Sequence, residues 1–384
     1  MKIKVLNITE EGRGGGPLKR IRNVAKRLYD HDIHTIVLFP NKNSEEFKEL
    51  LEKDQVEHLQ IPLHRLTKEK STLLKYVITF WKEVYHIMRI IKKEKIDIVH
   101  ANGAWQVKGI LAAKLSGIQS VWHMNDSFQA DAVKQLFKLF APLATNFIYA
   151  AEKTKKYYQA INPTIKKKPD ILIQAPVDTI KFHSDAESPQ KAEKILNGDG
   201  YKLLTVGYVN PNKGFETLLH AMNELKACQT QLYIVGTIFD SQKAYHKKLK
   251  NLIKEYQLAN VHFLGYRSDV KDLLHAADIY VCSSDFEASP ISVWEALSSG
   301  IPVVSTDVGD VREIFEEEEC GLVVESQNPE QLAKGISDLI KDKEKQSKYR
   351  INGRRTAEKL FSLDAVVLNH QQFYSQIHEN GQTT

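Results

Sequence analysis

Short runs of apolar, β-branched and aromatic residues alternate with amphipathic segments along almost the whole chain. In the first half, residues 3–8, 35–39, 96–100, 120–123 and 147–149 have the length and composition of buried strands. The intervals between them follow a helical period; Leu18, Ile21, Val24, Ala25 and Leu28 share one face of the first. A polar, breaker-rich stretch, residues 178–200, reads as a loop. Beyond it a second series places strands at 203–206, 232–235, 261–264, 279–282, 302–305 and 322–324. The tail, 332–377, reads as helical and amphipathic. Such alternation predicts doubly wound parallel sheets. The expected architecture is α/β, two Rossmann-like domains facing across a cleft. Residues 1–178 form the first domain, 179–362 the second, and 363–384 a final helix packing back on the first.

Length and charge refine this picture. A chain of 384 residues can bury two substantial cores. Cys228, Cys282 and Cys320 share no metal-like or redox spacing and read as reduced thiols of a cytoplasmic protein. The opening Met1-Lys-Ile-Lys-Val-Leu is too alternating for a signal peptide. The strongest membrane candidate, residues 73–91, carries Lys75, Lys82, Glu83 and Arg89, so it reads as an amphipathic helix rather than a span. Residues 1–178 hold 30 Lys and Arg against 19 Asp and Glu, a formal charge of +11; residues 179–384 hold 23 against 29, or −6. The basic half reads either as solvated helix faces or as a surface for anionic lipid headgroups or a phosphorylated acceptor.

The chemistry concentrates at strand ends. Glu287 leaves the 279–282 strand in a loop, and Glu295, eight positions on, falls inside the helix that follows. That helix starts near Pro290, and its free N–H groups around Ile291 and Ser292 suit a phosphate. Gly12-Arg-Gly14-Gly15-Gly16-Pro17 follows the first strand, but it matches neither a dinucleotide fingerprint nor a P-loop, and a tight turn explains it equally well. Lys213 stands at a helix start, where a cation opposes the helix dipole unless an anion faces it. His100 and His123 end their strands, a position more often filled by packing residues than by catalysts. Asp30-His31-Asp32 looks like a cation-holding Asp-x-Asp, but its place at a helix end favours a turn. No convincing metal site emerges.

In order and spacing these segments resemble the retaining glycosyltransferases of family 4, which have the GT-B fold. The markers are Gly14–Gly16, Val99-His100, the His123 segment, Val206-Gly207 through Lys213-Gly214, Leu232 to Gly236, Val261 to Gly265, Ala277-Asp278, Glu287-x7-Glu295 and Gly300 through Gly309. The resemblance implies a nucleotide-sugar donor on the second domain and an acceptor on the first. It makes Glu295 the partner of the ribose hydroxyls and Glu287 a contact to the donor sugar near the reacting carbon. It gives Lys213 the diphosphate, helped by Pro290, Ile291, Ser292 and the loop of Gly15 and Gly16, and sets His123 beside the sugar. No cofactor and no metal ion are implied, and no nucleic acid.

Three departures stand out. Tyr208 occupies the place of a usual arginine, Ala175-Pro176 replaces Asn-Gly before the second domain, and Ala151 replaces a common serine. The expected function is retaining, metal-independent transfer of a sugar to a lipid-linked saccharide in bacterial surface polysaccharide biosynthesis. The chain is expected in the cytoplasm, as a peripheral partner of the inner face of the cytoplasmic membrane through its basic domain. The alternatives are a GT-B sugar-nucleotide epimerase and a silent nucleotide-sugar-binding subunit, the latter suggested by Tyr208.

Overall fold

A computed structural model describes residues 2–12, 16–66, 70–183 and 190–382. The chain divides into two compact units, Met1–Ala175 with Leu363–Thr384, and Pro176–Ser362. The division falls at Ala175/Pro176, three residues before the boundary read from the sequence.

The first unit holds a parallel sheet of β1 (Ile3–Ile8), β2 (Ile33–Pro40), β3 (His58–Ile61), β4 (Ile98–Asn102), β5 (Gln119–Met124), β6 (Asn146–Tyr149) and β7 (Asp170–Leu172), in the order β3-β2-β1-β4-β5-β6-β7. Its inner strands are covered by helices on both faces, which is why they read as near-continuous apolar runs. The helix Leu363–Gln382 supplies Val366, Val367, Phe373, Tyr374 and Ile377 to a cluster with Val5, Ile98, Val121 and Ile148.

In the second unit, β8 (Tyr201–Val206), β9 (Thr230–Val235), β10 (Val261–Gly265), β11 (Ile279–Cys282), β12 (Val303–Thr306) and β13 (Leu322–Val324) run parallel in the order β10-β9-β8-β11-β12-β13. Both sheets wind outward from their first strand and then return to its other side. The reversal lies between β1 and β4 in one sheet and between β8 and β11 in the other. Ligands of open α/β sheets bind outside the carboxyl ends of the strands at such a reversal.

The structure adds elements that the residue pattern does not predict. β3 and β7 are short, half-buried edge strands without an apolar run. The segment read as a loop, 178–200, contains the helix Gln190–Ile195, which sends Ala192 into the core. The helical tail is not continuous: it breaks where Asp342 caps a new helix, its side chain accepting from Lys345 N, and again at the π-turn Ala357–Phe361. Asp30-His31-Asp32 forms a 3-10 turn closed by Asp32 in the left-handed region.

Candidate functional site

The loop after β8 carries Gly207 and Tyr208, tightens into the 3-10 turn Pro211–Lys213, and opens the helix Phe215–Glu224. Gly214 joins the two with φ +61°, and a Cβ there would lie 1.8 Å from the Ser283 carbonyl oxygen. Only glycine fits that approach. The loop after β11 closes against it: Ser283 Oγ donates to the Lys213 carbonyl at 2.9 Å, and Asp285 N donates to that of Asn212 at 2.8 Å.

This stitching brings Lys213 and Glu287 together. Lys213 Nζ lies 2.5 Å from Glu287 Oε1, which also accepts from Ser284 Oγ at 3.2 Å. The two side chains are 24% and 20% exposed, so the pair is held in place yet open to solvent. Burial lowers the Lys213 pKa, but the charge and hydrogen bond of Glu287 outweigh it, and the net shift is upward. Lys213 is a fixed cation at the sheet reversal. Its stem passes over Gly207, where a Cβ would stand 2.8 Å from Lys213 Cε.

Pro290 caps the helix Ile291–Ser298, and its carbonyl accepts from Val293 N at 2.9 Å. Trp294 Nε1 donates to Ser289 Oγ at 2.9 Å, fixing the turn that leads in. Ile291, Ser292 and Glu295 are half-buried on this helix, while Tyr208 is 48% exposed with its ring against Phe239. The second unit therefore gathers Lys213, Glu287, Pro290, Ile291, Ser292, Glu295 and Tyr208 on the loops and helices that follow β8 and β11.

His123 belongs to the first unit and is fully buried. Arg20 Nη1 lies 2.5 and 2.7 Å from its two ring nitrogens, and Arg20 Nη2 donates to Asn102 Oδ1 at 2.6 Å. His100 stands 3.2 Å away and meets the Tyr374 hydroxyl at 2.5 Å. Burial, then the Arg20 charge, holds both histidines well below the usual imidazole pKa, so they are neutral. Gly16 opens the helix Gly16–Leu28; Gly15 and Gly14 lie outside the described residues.

The sequence reading missed a second lysine–glutamate cluster. Lys108, in the first turn after β4, lies 2.6 Å from Glu83 Oε2 and 3.0 Å from Glu10 Oε1, and all three side chains are at most 2% exposed. Glu83 also meets His64 Nδ1 at 2.5 Å. The Lys108–Glu10 contact is an ion pair by distance, but neither Glu10 oxygen has a hydrogen-bond partner among the described residues. Burial, only partly offset by Lys108, pushes the Glu10 carboxyl up to about 7. The available signal was a lysine inside the apolar run Val107–Leu115.

Comparison with known proteins identifies the family. The model described as glycosyl transferases group 1 matches residues 187–356, and that described as glycosyltransferase family 4 matches residues 14–179. An uncharacterized glycosyltransferase of Methanocaldococcus jannaschii is 25% identical over 95% of both chains. The UDP-Gal:alpha-D-GlcNAc-diphosphoundecaprenol alpha-1,3-galactosyltransferase of Escherichia coli is 24% identical over 68% of this chain and 71% of its own. An N,N'-diacetylbacillosaminyl-diphospho-undecaprenol alpha-1,3-N-acetylgalactosaminyltransferase of Campylobacter jejuni is 24% identical over 78% and 82%. Among solved structures, a glycosyltransferase of Rickettsia africae superimposes with a TM-score of 0.84 at 21% identity over 99% of each chain. Anabaena Alr3699/HepE in complex with UDP gives 0.81 at 20% identity, covering 98% of this chain and 100% of its own. The chain has the GT-B fold and belongs to the family 4, group 1 glycosyltransferases.

Proposed function

We propose that the chain moves a sugar, with retention at the anomeric carbon, from a nucleotide-sugar donor to a lipid-linked saccharide of surface polysaccharide assembly. The observation that carries this reading is the Lys213–Glu287 pair, half-open at the reversal of the second sheet. The solved Anabaena relative holds UDP, and two curated relatives are named for diphosphoundecaprenol-linked acceptors.

In this reading the donor diphosphate takes Lys213 from Glu287. A dianionic leaving group outcompetes one carboxylate for the ammonium, and the N–H groups at the start of the Ile291–Ser298 helix add to its stabilisation. Glu287, released from the lysine, accepts hydrogen bonds from the sugar hydroxyls. Glu295 holds the ribose. The C–O bond to the diphosphate breaks as the acceptor oxygen bonds to the same face of the anomeric carbon, and the departing phosphate takes the acceptor proton. Lysine and oriented N–H groups do this without a divalent cation. His123, enclosed against Arg20, reaches the sugar only if its surroundings open, and no other group is asked to replace it.

A panel of nucleotide sugars, scored by released nucleotide with and without membrane extract, tests the assignment. One donor is expected to turn over, faster with extract, unaffected by chelator, and to give a product of unchanged anomeric configuration. Inversion would refute the mechanism, and an epimerised donor without acceptor would replace transfer by epimerisation.

A further inference from the structure

The helix Lys70–Glu94 in the first unit has two apolar faces, and the core uses only one. Tyr76, Val84, Ile87 and Ile91 point inward and are at most 5% exposed. Leu74, Val77, Ile78, Trp81 and Tyr85 point outward and are 59–70% exposed. At 3.6 residues per turn these five span an arc of about 100° and a length of roughly 17 Å. A helix that is apolar all round is ordinarily buried. A stripe of this size marks an interaction surface.

Charge says which. The exposed charged residues of this helix from Leu74 onward are Lys75, Lys82, Arg89, Lys92 and Lys93, all basic. Lys75, Lys82 and Arg89 recur every seven residues and so run in one line beside the apolar stripe. The unit that carries them holds 30 Lys and Arg against 20 Asp and Glu, a formal charge of +10. A second copy seated on this face would bring two such basic rows together. A nucleic acid would leave Leu74, Val77 and Ile78 in water. An apolar stripe bordered by lysines, with a tryptophan and a tyrosine in it, suits an anionic bilayer, where the apolar side chains enter the acyl boundary and the lysines meet the headgroups. Among the described residues no helix is long and apolar enough to cross a membrane.

We propose that the outward face of the Lys70–Glu94 helix is the surface by which the chain lies on an anionic phospholipid bilayer. The contact deepens the lipid-linked acceptor reading and rests on it only for what the membrane presents; the surface itself stands on the helix.

Flotation of the full chain with phosphatidylglycerol-rich and with phosphatidylcholine vesicles tests it, alongside Ile78→Glu/Trp81→Glu and Lys75→Gln/Lys82→Gln. Wild type is expected to float with anionic vesicles at low salt, and the glutamate pair to lose at least roughly tenfold in partitioning. The glutamine pair is expected to bind more weakly and with a shallower salt dependence. Brominated acyl chains should quench wild-type tryptophan emission but not that of Trp81→Phe. Circular dichroism and a thermal transition matching wild type show that each variant is folded in the unit it alters, and nucleoside diphosphate titration reports separately on the second unit. Absent diphosphate binding with intact flotation would sink the donor reading and leave this one standing. Wild-type indifference to anionic vesicles, undiminished flotation of the glutamate pair, or a solution dimer that this pair dissolves would overturn the proposal.

Discussion

Each sheet carries a lysine–glutamate pair across its reversal, and the two pairs are opposite in every respect that matters. In the first unit the glutamate, Glu10, follows the first strand and the lysine, Lys108, follows β4. In the second unit the lysine, Lys213, follows the first strand and the glutamate, Glu287, follows β11. Lys108 is sealed, shared by two carboxylates with its charge consumed by Glu83. Among the described residues Lys213 has one ion-pair partner, Glu287, and it remains reachable. Position at a sheet reversal therefore does not make a lysine a ligand site. Solvent access and a partner that an anion can displace are what the proposed donor role asks of Lys213.

The largest expected effect breaks the sealed pair. Lys108→Met leaves two carboxylates buried without a cation and should cost about 3–5 kcal/mol of stability by urea unfolding. Lys213→Ala should show the reverse pattern. Its pair is partly exposed, so stability changes by no more than about 1 kcal/mol, while transfer falls about 10²–10³-fold in steady-state assays. A Lys213 variant with near-normal turnover would erase the distinction.

Gly207→Ala sharpens the same contrast without removing a charge. The added methyl pushes the Lys213 stem from its path, and the rate should fall roughly ten- to a hundredfold with stability nearly unchanged.

Per pH unit, the smallest effect is a slope in stability. Glu10 titrates near about 7 folded against an ordinary 4.5, so the folded chain keeps a proton that the unfolded chain has lost. Its contribution is full below 4.5 and is lost as the pH rises through about 7. Stability should decline across that window by at most about 1.4 kcal/mol per pH unit, and Glu10→Gln should flatten the decline. A slope that survives the substitution belongs to another group.

Much of the second-unit candidate site was legible because its parts are local. Glu287, Pro290 and Glu295 lie within nine residues, and strand, loop and helix signals punctuate them. Lys213 also announced itself, as a cation at a helix start. The sealed cluster could not be read this way. Glu10, Glu83 and Lys108 are far apart in sequence, each a lone polar residue, and only the β1–β4 adjacency brings them together. Arg20 was hidden for the same reason: as one of several basic residues in its helix, it gave no sign of being wrapped against His123 and Asn102. The fold's central strands were readable from their apolar runs, whereas β3 and β7 lie at sheet edges, where half the surface is wet and the pattern fades.

The proposed transfer depends on Lys213 anchoring a donor diphosphate. Calorimetric titration of uridine and guanosine diphosphates into wild type and Lys213→Ala tests this most directly. Wild type should bind at least one of them, with affinity falling tenfold or more in the variant, roughly 1.4 kcal/mol or above. Equal affinity in the two proteins would contradict it.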